Sequence, residues 1–319
     1  MLEVKNLSKE FIVERGFFKS SSMTVKAVNN ISFSIKKNQV VGLVGESGSG
    51  KSTLGKTIMK LLNPTEGKII FNNIDITNYN NQKMKIIRKQ LQMIFQDPLA
   101  SLNPRKTIFD TLSEPINVHS LVNKNLLNEY INNIIQEVGL NVESLSKYPH
   151  EFSGGQRQRI GIARALVFKP QFIIADEPVS ALDVSIQAQI LNLLEKIRDE
   201  YDLTMIFISH DLSVIEYFSD IVIVLYLGKI MEISLKRNFF KKPLHPYSKA
   251  LLSAIPKVKS KNMKKIVLEG DIPSPINPPS GCVFRTRCKF AIKKCSEVIP
   301  ELKQIDSDTK VACIREDVW

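Results

Sequence analysis

The continuous apolar run Val40-Val41-Gly42-Leu43-Val44 leads directly into Gly45-Glu46-Ser47-Gly48-Ser49-Gly50-Lys51-Ser52-Thr53, and no other feature restricts the fold of this chain as much. An apolar run without alternation is what a strand buried on both faces requires, so it predicts a strand in a sheet covered by helices. The residues from Gly45 to Ser52 fit G-x(4)-G-K-[ST], in which backbone N–H groups and a helix N-terminus surround phosphate oxygens. Lys51 supplies a point charge, Ser52 can ligate magnesium, and a helix is predicted from about Lys51 to Leu62. The candidate contacts to a nucleoside triphosphate are Gly45, Ser47, Gly48, Ser49, Gly50, Lys51, Ser52 and Thr53.

A second phosphate-directed motif, Ser153-Gly154-Gly155-Gln156, follows about a hundred residues later. Its glycines leave the backbone amides open to close approach, and a helix including Gln156 to Val167 would put them at a positive N-terminal end. One chain has little use for two cradles around one γ-phosphate. Two copies arranged head to tail do, each phosphate loop meeting the other copy's Ser-Gly-Gly-Gln across a shared nucleotide.

Further buried strands are predicted at Leu91 to Phe95, Phe172 to Ala175, Met205 to Ile208 and Ile221 to Leu225, with a helical stretch at about 107–169. The strand at Phe172 releases Asp176 and Glu177 at its C-terminal edge, where ligands of open α/β sheets collect. An acidic turn after a strand is by itself an ordinary surface feature; the upstream phosphate loop makes these two carboxylates candidates. Gln96 and His210 likewise follow predicted strands. His119, His150 and His245 have no such placement and read as structural or surface residues.

Together these motifs resemble the ATP-binding-cassette (ABC) ATPases, from about Leu2 to the C-terminus. More narrowly, Met93 to Arg105 (M-I-F-Q-D-P-L-A-S-L-N-P-R) and His245-Pro246-Tyr247 through Pro256 resemble oligopeptide/dipeptide importer ATPases. The resemblance implies an α/β P-loop NTPase core, a mixed sheet with a β-rich N-terminal part and an inserted helical subdomain at about 97–169. It places a nucleotide-binding domain at 1–256 and a small cysteine-containing extension at 257–319. It also implies that Asp176 holds magnesium together with Ser52 and Gln96, that Glu177 is the general base, and that His210 donates to the γ-phosphate. Phe11 stands where the family puts an aromatic on adenine, and a core or edge aromatic is the alternative. Ser180-Ala181-Leu182-Asp183 resembles the loop that crosses the dimer seam, and Phe152 opens the signature where many cassettes have Leu. The implied partners are a second, related ATPase, two permease subunits and an extracellular solute-binding protein. Nickel-chelate or other small-solute import by the same ATPase type is the nearer alternative; a soluble ABC ATPase acting on nucleic acid or ribosomes is the more distant one.

At 319 residues and 43% hydrophobic content, one large domain and a minor one are expected. No apolar run approaches the roughly 20 residues that span a bilayer, and no signal segment opens the chain, so a peripheral place on the cytoplasmic face of the membrane is expected. Ten Lys or Arg and no acidic residue between Ile233 and Leu268 account for most of the net charge of +12. That segment reads as a solvated link or as one lying near an anionic membrane surface, and it lacks the interleaved aromatics of a nucleic-acid module.

Cys282, Cys288, Cys295 and Cys313 are spaced C-x(5)-C-x(6)-C-x(17)-C near the C-terminus. Structural disulfides are disfavoured in a cytoplasmic chain, and the paired knuckles of zinc sites are absent. Members of the peptide-importer ATPases carry a 4Fe-4S cluster in this extension, which the resemblance implies here; zinc or free thiols are the alternatives. Because the ATP-site residues all precede His210, the extension is expected to stand apart from nucleotide binding.

Overall fold

The computed structural model describes residues 1–14, 22–255 and 266–319. The chain divides into two compact units, Met1–Asn78 with Phe207–Trp319, and Tyr79–Ile206. The boundary expected between 1–256 and 257–319 lies outside the described residues, and the expected helical insertion at 97–169 lies within the second unit. Lys257, Lys259, Lys261, Lys264 and Lys265 of the basic segment lie outside the described residues.

The first unit opens with β1 (Leu2–Glu14) and β2 (Ser22–Ile35), a long antiparallel ribbon with Leu2 opposite Ile35 and Phe11 opposite Val25. After β3 (Val40–Val44) and α1 (Lys51–Ile58), β4 (Glu66–Phe71) and β5 (Ile74–Asp75) complete a sheet of order β2-β1-β4-β5. α1 is shorter than the sequence predicts. Lys60 adopts a left-handed φ of 55°, and its N–H bonds Thr57 O at 3.0 Å while Leu61 N bonds Lys56 O at 2.9 Å. This pair of bonds is a Schellman end, which closes the helix before Asn63-Pro64.

The second unit contains α2 (Asn81–Ile87), β6 (Leu91–Ile94), α3 (Pro98–Ser101), α4 (Ile108–His119), α5 (Leu127–Glu137), α6 (Gly154–Leu166), β7 (Phe172–Asp176) and α7 (Val184–Glu200). The helical stretch has the 3.6-residue pattern: Ile108, Leu112 and Ile116 are buried on α4, and Ile131, Ile134 and Ile135 on α5. A Thr107–Asp110 capping box starts α4. β6 and β7 pair in parallel, Leu91 opposite Phe172 and Ile94 opposite Ala175.

β8 (Thr204–Ile208) carries the chain back to the first unit. There α8 (Leu212–Phe218), β9 (Ile221–Tyr226), β10 (Lys229–Leu235), α9 (Lys236–Lys241), α10 (Pro246–Ser253), α11 (Lys294–Glu297), β11 (Lys303–Asp306) and β12 (Thr309–Val311) follow. β3 is parallel to β9, while the β9–β10, β10–β12 and β12–β11 pairs are antiparallel, so the sheet is mixed.

The cysteine-bearing extension packs on the first unit. Val283, Phe284, Val311 and Ala312 are buried. The Phe284 ring lies 5.3 Å from that of Tyr226 and 5.2 Å from that of Tyr247, so the extension borrows the apolar interior of the first unit.

Candidate functional site

β3, buried at every position, delivers the chain to the phosphate loop, and two glycines set the loop's path. Gly45 has φ 151° and Gly50 φ 103°; a Cβ would stand 2.1 Å from Leu225 O at the first and 2.2 Å from Ala27 O at the second. No other residue fits at either place. Gly50 offers no side-chain cap, and the first helical bond of α1 runs from Leu54 N to Gly50 O at 2.8 Å, so the positive end of the helix opens on the loop. Lys51 is 5% exposed, and its Nζ donates to Gly45 O at 2.7 Å and to Glu46 O at 3.0 Å. The ammonium is thereby held inside the curve of the loop. Ser49 is buried, and its hydroxyl lies 3.5 Å from Lys51 Nζ. Ser47 and Gly48 form the crest, and Ser52 and Thr53 the first turn of α1.

Phe11 and His210 are in the same unit. Phe11 lies on the ribbon, 36% exposed, with Lys9 Nζ 5.1 Å from the ring centre. His210 is exposed, just beyond β8.

The second unit holds the carboxylates. Asp176, 2% exposed, ends β7, and Glu177 follows at a left-handed φ of 45°. That backbone costs a non-glycine residue roughly 1 kcal/mol or more. Glu177 Oε2 accepts a hydrogen bond from Gln96 Nε2 at 3.0 Å. The contact follows from the register: β6 and β7 run in parallel, so the residues leaving Ile94 and Ala175 emerge side by side.

Ser153, Gly154, Gly155 and Gln156 begin α6 as expected, and the structure adds how they are fixed. Ser153 Oγ accepts from Gln156 N at 3.4 Å, and Gln156 Oε1 accepts from Ser153 N at 3.0 Å. This capping box sets the direction of the two glycine amides. Asp183 caps α7 with its side chain alone, accepting from Ile186 N at 3.0 Å, and that bond holds its carboxyl below the usual range.

Cys282, Cys288, Cys295 and Cys313 form no disulfide with one another, and all four line one cavity in the first unit together with His245 and Phe284. Burial pushes the Cys282 thiol up to about 11. Among the described residues no group of three His, Cys, Asp or Glu side chains is placed to hold a metal ion. His245 is neutral: burial lowers it to about 3, and its Nδ1 accepts from Tyr247 N at 3.0 Å. Sequence reasoning missed the partners of Glu46. Its N–H donates to the Tyr247 hydroxyl at 2.9 Å, and its carboxylate pairs with Arg287. Tyr247 stands in the His-Pro-Tyr motif and could have been noticed; Arg287 has no such signal.

Residues 28–180 match the ABC transporter family, and residues 231–295 match the C-terminal region of oligopeptide/dipeptide transporters. The oligopeptide transport ATP-binding protein AppF of Bacillus subtilis is 52% identical over 317 residues, 98% of this chain and 96% of the relative. The chain belongs to the ABC transporter family. A putative peptide import ATP-binding protein of Brucella ovis is 49% identical over 319 residues, 100% of this chain and 98% of the relative. The dimeric ATP-binding cassette MJ0796, in a post-hydrolysis state bound to ADP and phosphate, aligns with a TM-score of 0.66 at 29% identity, covering 74% of this chain and 99% of that one. CbiO1 of Clostridium perfringens, part of an ABC transporter complex, aligns with a TM-score of 0.64 at 26% identity, covering 76% of this chain and 90% of that one. This ABC ATPase has the cassette fold that its motifs imply, and ATP is its nucleotide. Among its described residues no helix is long and apolar enough to cross a membrane.

Proposed function

We propose that this ABC ATPase powers the uptake of oligopeptides or dipeptides as a peripheral subunit on the cytoplasmic face of a membrane importer. The observation that carries the reading is the near full-length identity to AppF, joined to the oligopeptide/dipeptide transporter match at residues 231–295. In this reading the chain pairs head to tail with a related second ATPase, and two permease subunits and a solute-binding protein complete the transporter. Transport follows from ATP-driven closure of the two cassettes.

Roles follow from the motif in which each residue stands. The loop from Gly45 to Gly50, with Ser47, Gly48 and Ser49, binds phosphates through its backbone, joined by Lys51 and Thr53; Phe11 stacks on adenine. Ser52, Gln96 and Asp176 are assigned to magnesium, which when bound neutralises phosphate charge. Glu177, oriented by Gln96, takes a proton from the attacking water as its oxygen bonds the γ-phosphorus and the bond to ADP breaks, and His210 donates to the γ-phosphate. Ser153, Gly154, Gly155 and Gln156 serve the partner's nucleotide. In proteoliposomes holding the two permeases, peptide-loaded solute-binding protein is expected to raise ATP hydrolysis several-fold. Stimulation by a nickel chelate and not by peptide would replace the substrate, and no response to any solute would reject import.

We assign the four cysteines to a 4Fe-4S cluster with a structural role. All four thiols line one cavity of the first unit, and the match of this region to the oligopeptide/dipeptide transporter C-terminal family supports a cluster rather than a single zinc. Anaerobically purified protein is expected to be brown with about four irons per chain, most of which any single Cys-to-Ser change removes. One zinc per chain, or no metal, rejects the assignment.

A further inference from the structure

We infer that Arg287 is a positioning residue for the phosphate loop, and that the cysteine-bearing segment thereby sets the loop's affinity for ATP. Arg287 is 9% exposed, and its guanidinium forks onto the Glu46 carboxylate, Nη1 to Oε2 at 2.5 Å and Nη2 to Oε1 at 3.0 Å. Glu46 is the first residue inside the loop, and it is held at three points. Its N–H donates to the buried Tyr247 hydroxyl, its carboxylate is in the Arg287 fork, and its carbonyl accepts from Lys51 Nζ. The Arg287 guanidinium also lies 6.0 Å from the centre of the Tyr226 ring, which packs at 4.8 Å on Tyr247 and 5.3 Å on Phe284.

Arg287 stands directly before Cys288, at the end of the short 3-10 turn Arg285–Arg287, and Cys282, Phe284 and Cys288 all line the cysteine cavity. A continuous path therefore runs from the cavity through Phe284 and Arg287 to Glu46 and on to Lys51, all within the first unit. The inference opposes the expectation that the extension stands apart from nucleotide binding. A residue 241 positions away in sequence is a partner of the loop.

The pair matters for two reasons. A bidentate Arg–carboxylate contact fixes direction as well as distance, so it sets the path of the loop backbone. A carboxylate inside a phosphate-binding loop also repels the ligand unless a cation offsets it, and Arg287 supplies that charge. Lys51 is thus left to the phosphates, with Glu46 already neutralised.

The test reads ATP binding by the full isolated chain, which stays informative even if the transported solute is not a peptide. Arg287→Ala is expected to weaken ATP binding about 10-fold, and in the assembled transporter to raise KM for ATP with kcat changed less than about threefold. Adding Glu46→Gln to that variant removes the uncompensated charge without remaking the fork, so it should recover about threefold of the lost binding, as should Arg287→Lys, a point charge without the fork. A purely structural role for Arg287 would not respond to Glu46→Gln. Unchanged ATP binding by Arg287→Ala overturns the inference, and so does weak binding that neither Glu46→Gln nor Arg287→Lys improves. Should Arg287→Ala fail to fold, Tyr247→Phe takes its place: it removes one hydroxyl from the same anchor and should still weaken ATP binding measurably, and parental affinity in a folded Tyr247→Phe chain overturns the inference equally.

Discussion

Replacing Glu177 by Gln lowers ATP turnover by about 10²- to 10⁴-fold, the usual worth of a positioned general base, while nucleotide binding persists. The carboxamide cannot accept the proton of the attacking water, yet it keeps the shape of the side chain and its place after Asp176. It also removes a negative charge from the neighbourhood of the γ-phosphate, so closed, ATP-loaded dimers should accumulate and be visible by size-exclusion chromatography. Gln96 enters the argument because its amide donates to Glu177 Oε2 and so orients the carboxylate before substrate arrives. Phosphate release by the assembled transporter is the measurement, and a near-parental rate for Glu177→Gln rejects the base assignment.

Lys51 and Ser153 should fail in different ways. Lys51→Ala removes a phosphate charge and also the bonds that tie the Gly45 and Glu46 carbonyls to the centre of the loop, so ATP binding by the isolated chain weakens sharply. Ser153→Arg should leave that binding intact and abolish turnover, because a bulky cation at the start of α6 blocks the partner's nucleotide. The substitution also deletes a helix cap worth about 1 kcal/mol. Ser153→Ala deletes the same cap without adding bulk, so turnover surviving in Ser153→Ala and not in Ser153→Arg isolates the blockade. Equal loss of ATP binding by Lys51→Ala and Ser153→Arg in the isolated chain would end the head-to-tail arrangement.

Much of the architecture was readable before any coordinates. β3, β6, β7, β8 and β9 carry few or no polar residues, because strands covered on both faces have no solvent side to mark. The start of α6 was readable for another reason: Ser153 and Gln156 are a capping pair three residues apart. The end of α1 was not, since nothing in Met59-Lys60-Leu61 announces that a lysine will take a left-handed turn. β11 and β12 are short and polar, and their existence depends on β10, far back in the chain. Within the site, Gln96 and Glu177 could be named separately, but their contact required the parallel register of β6 with β7. The Arg287–Glu46 fork was beyond reach for the same reason, because a pair joined only by the fold leaves no spacing to count.

The way the sheet of the first unit ends has a consequence for the chain in a crowded cell. β10 is seven residues long, and without β12 alongside, the N–H and C=O groups of Glu232 to Ser234 would face outward as a template for another chain's strand. β12 and β11 replace that margin with strands of three and four residues carrying exposed Lys310 and Lys303. Lysines on short strands make a poor template for pairing. The cysteine-bearing segment is therefore also a cover over an edge strand, and its loss is expected to expose β10 to strand pairing with other chains.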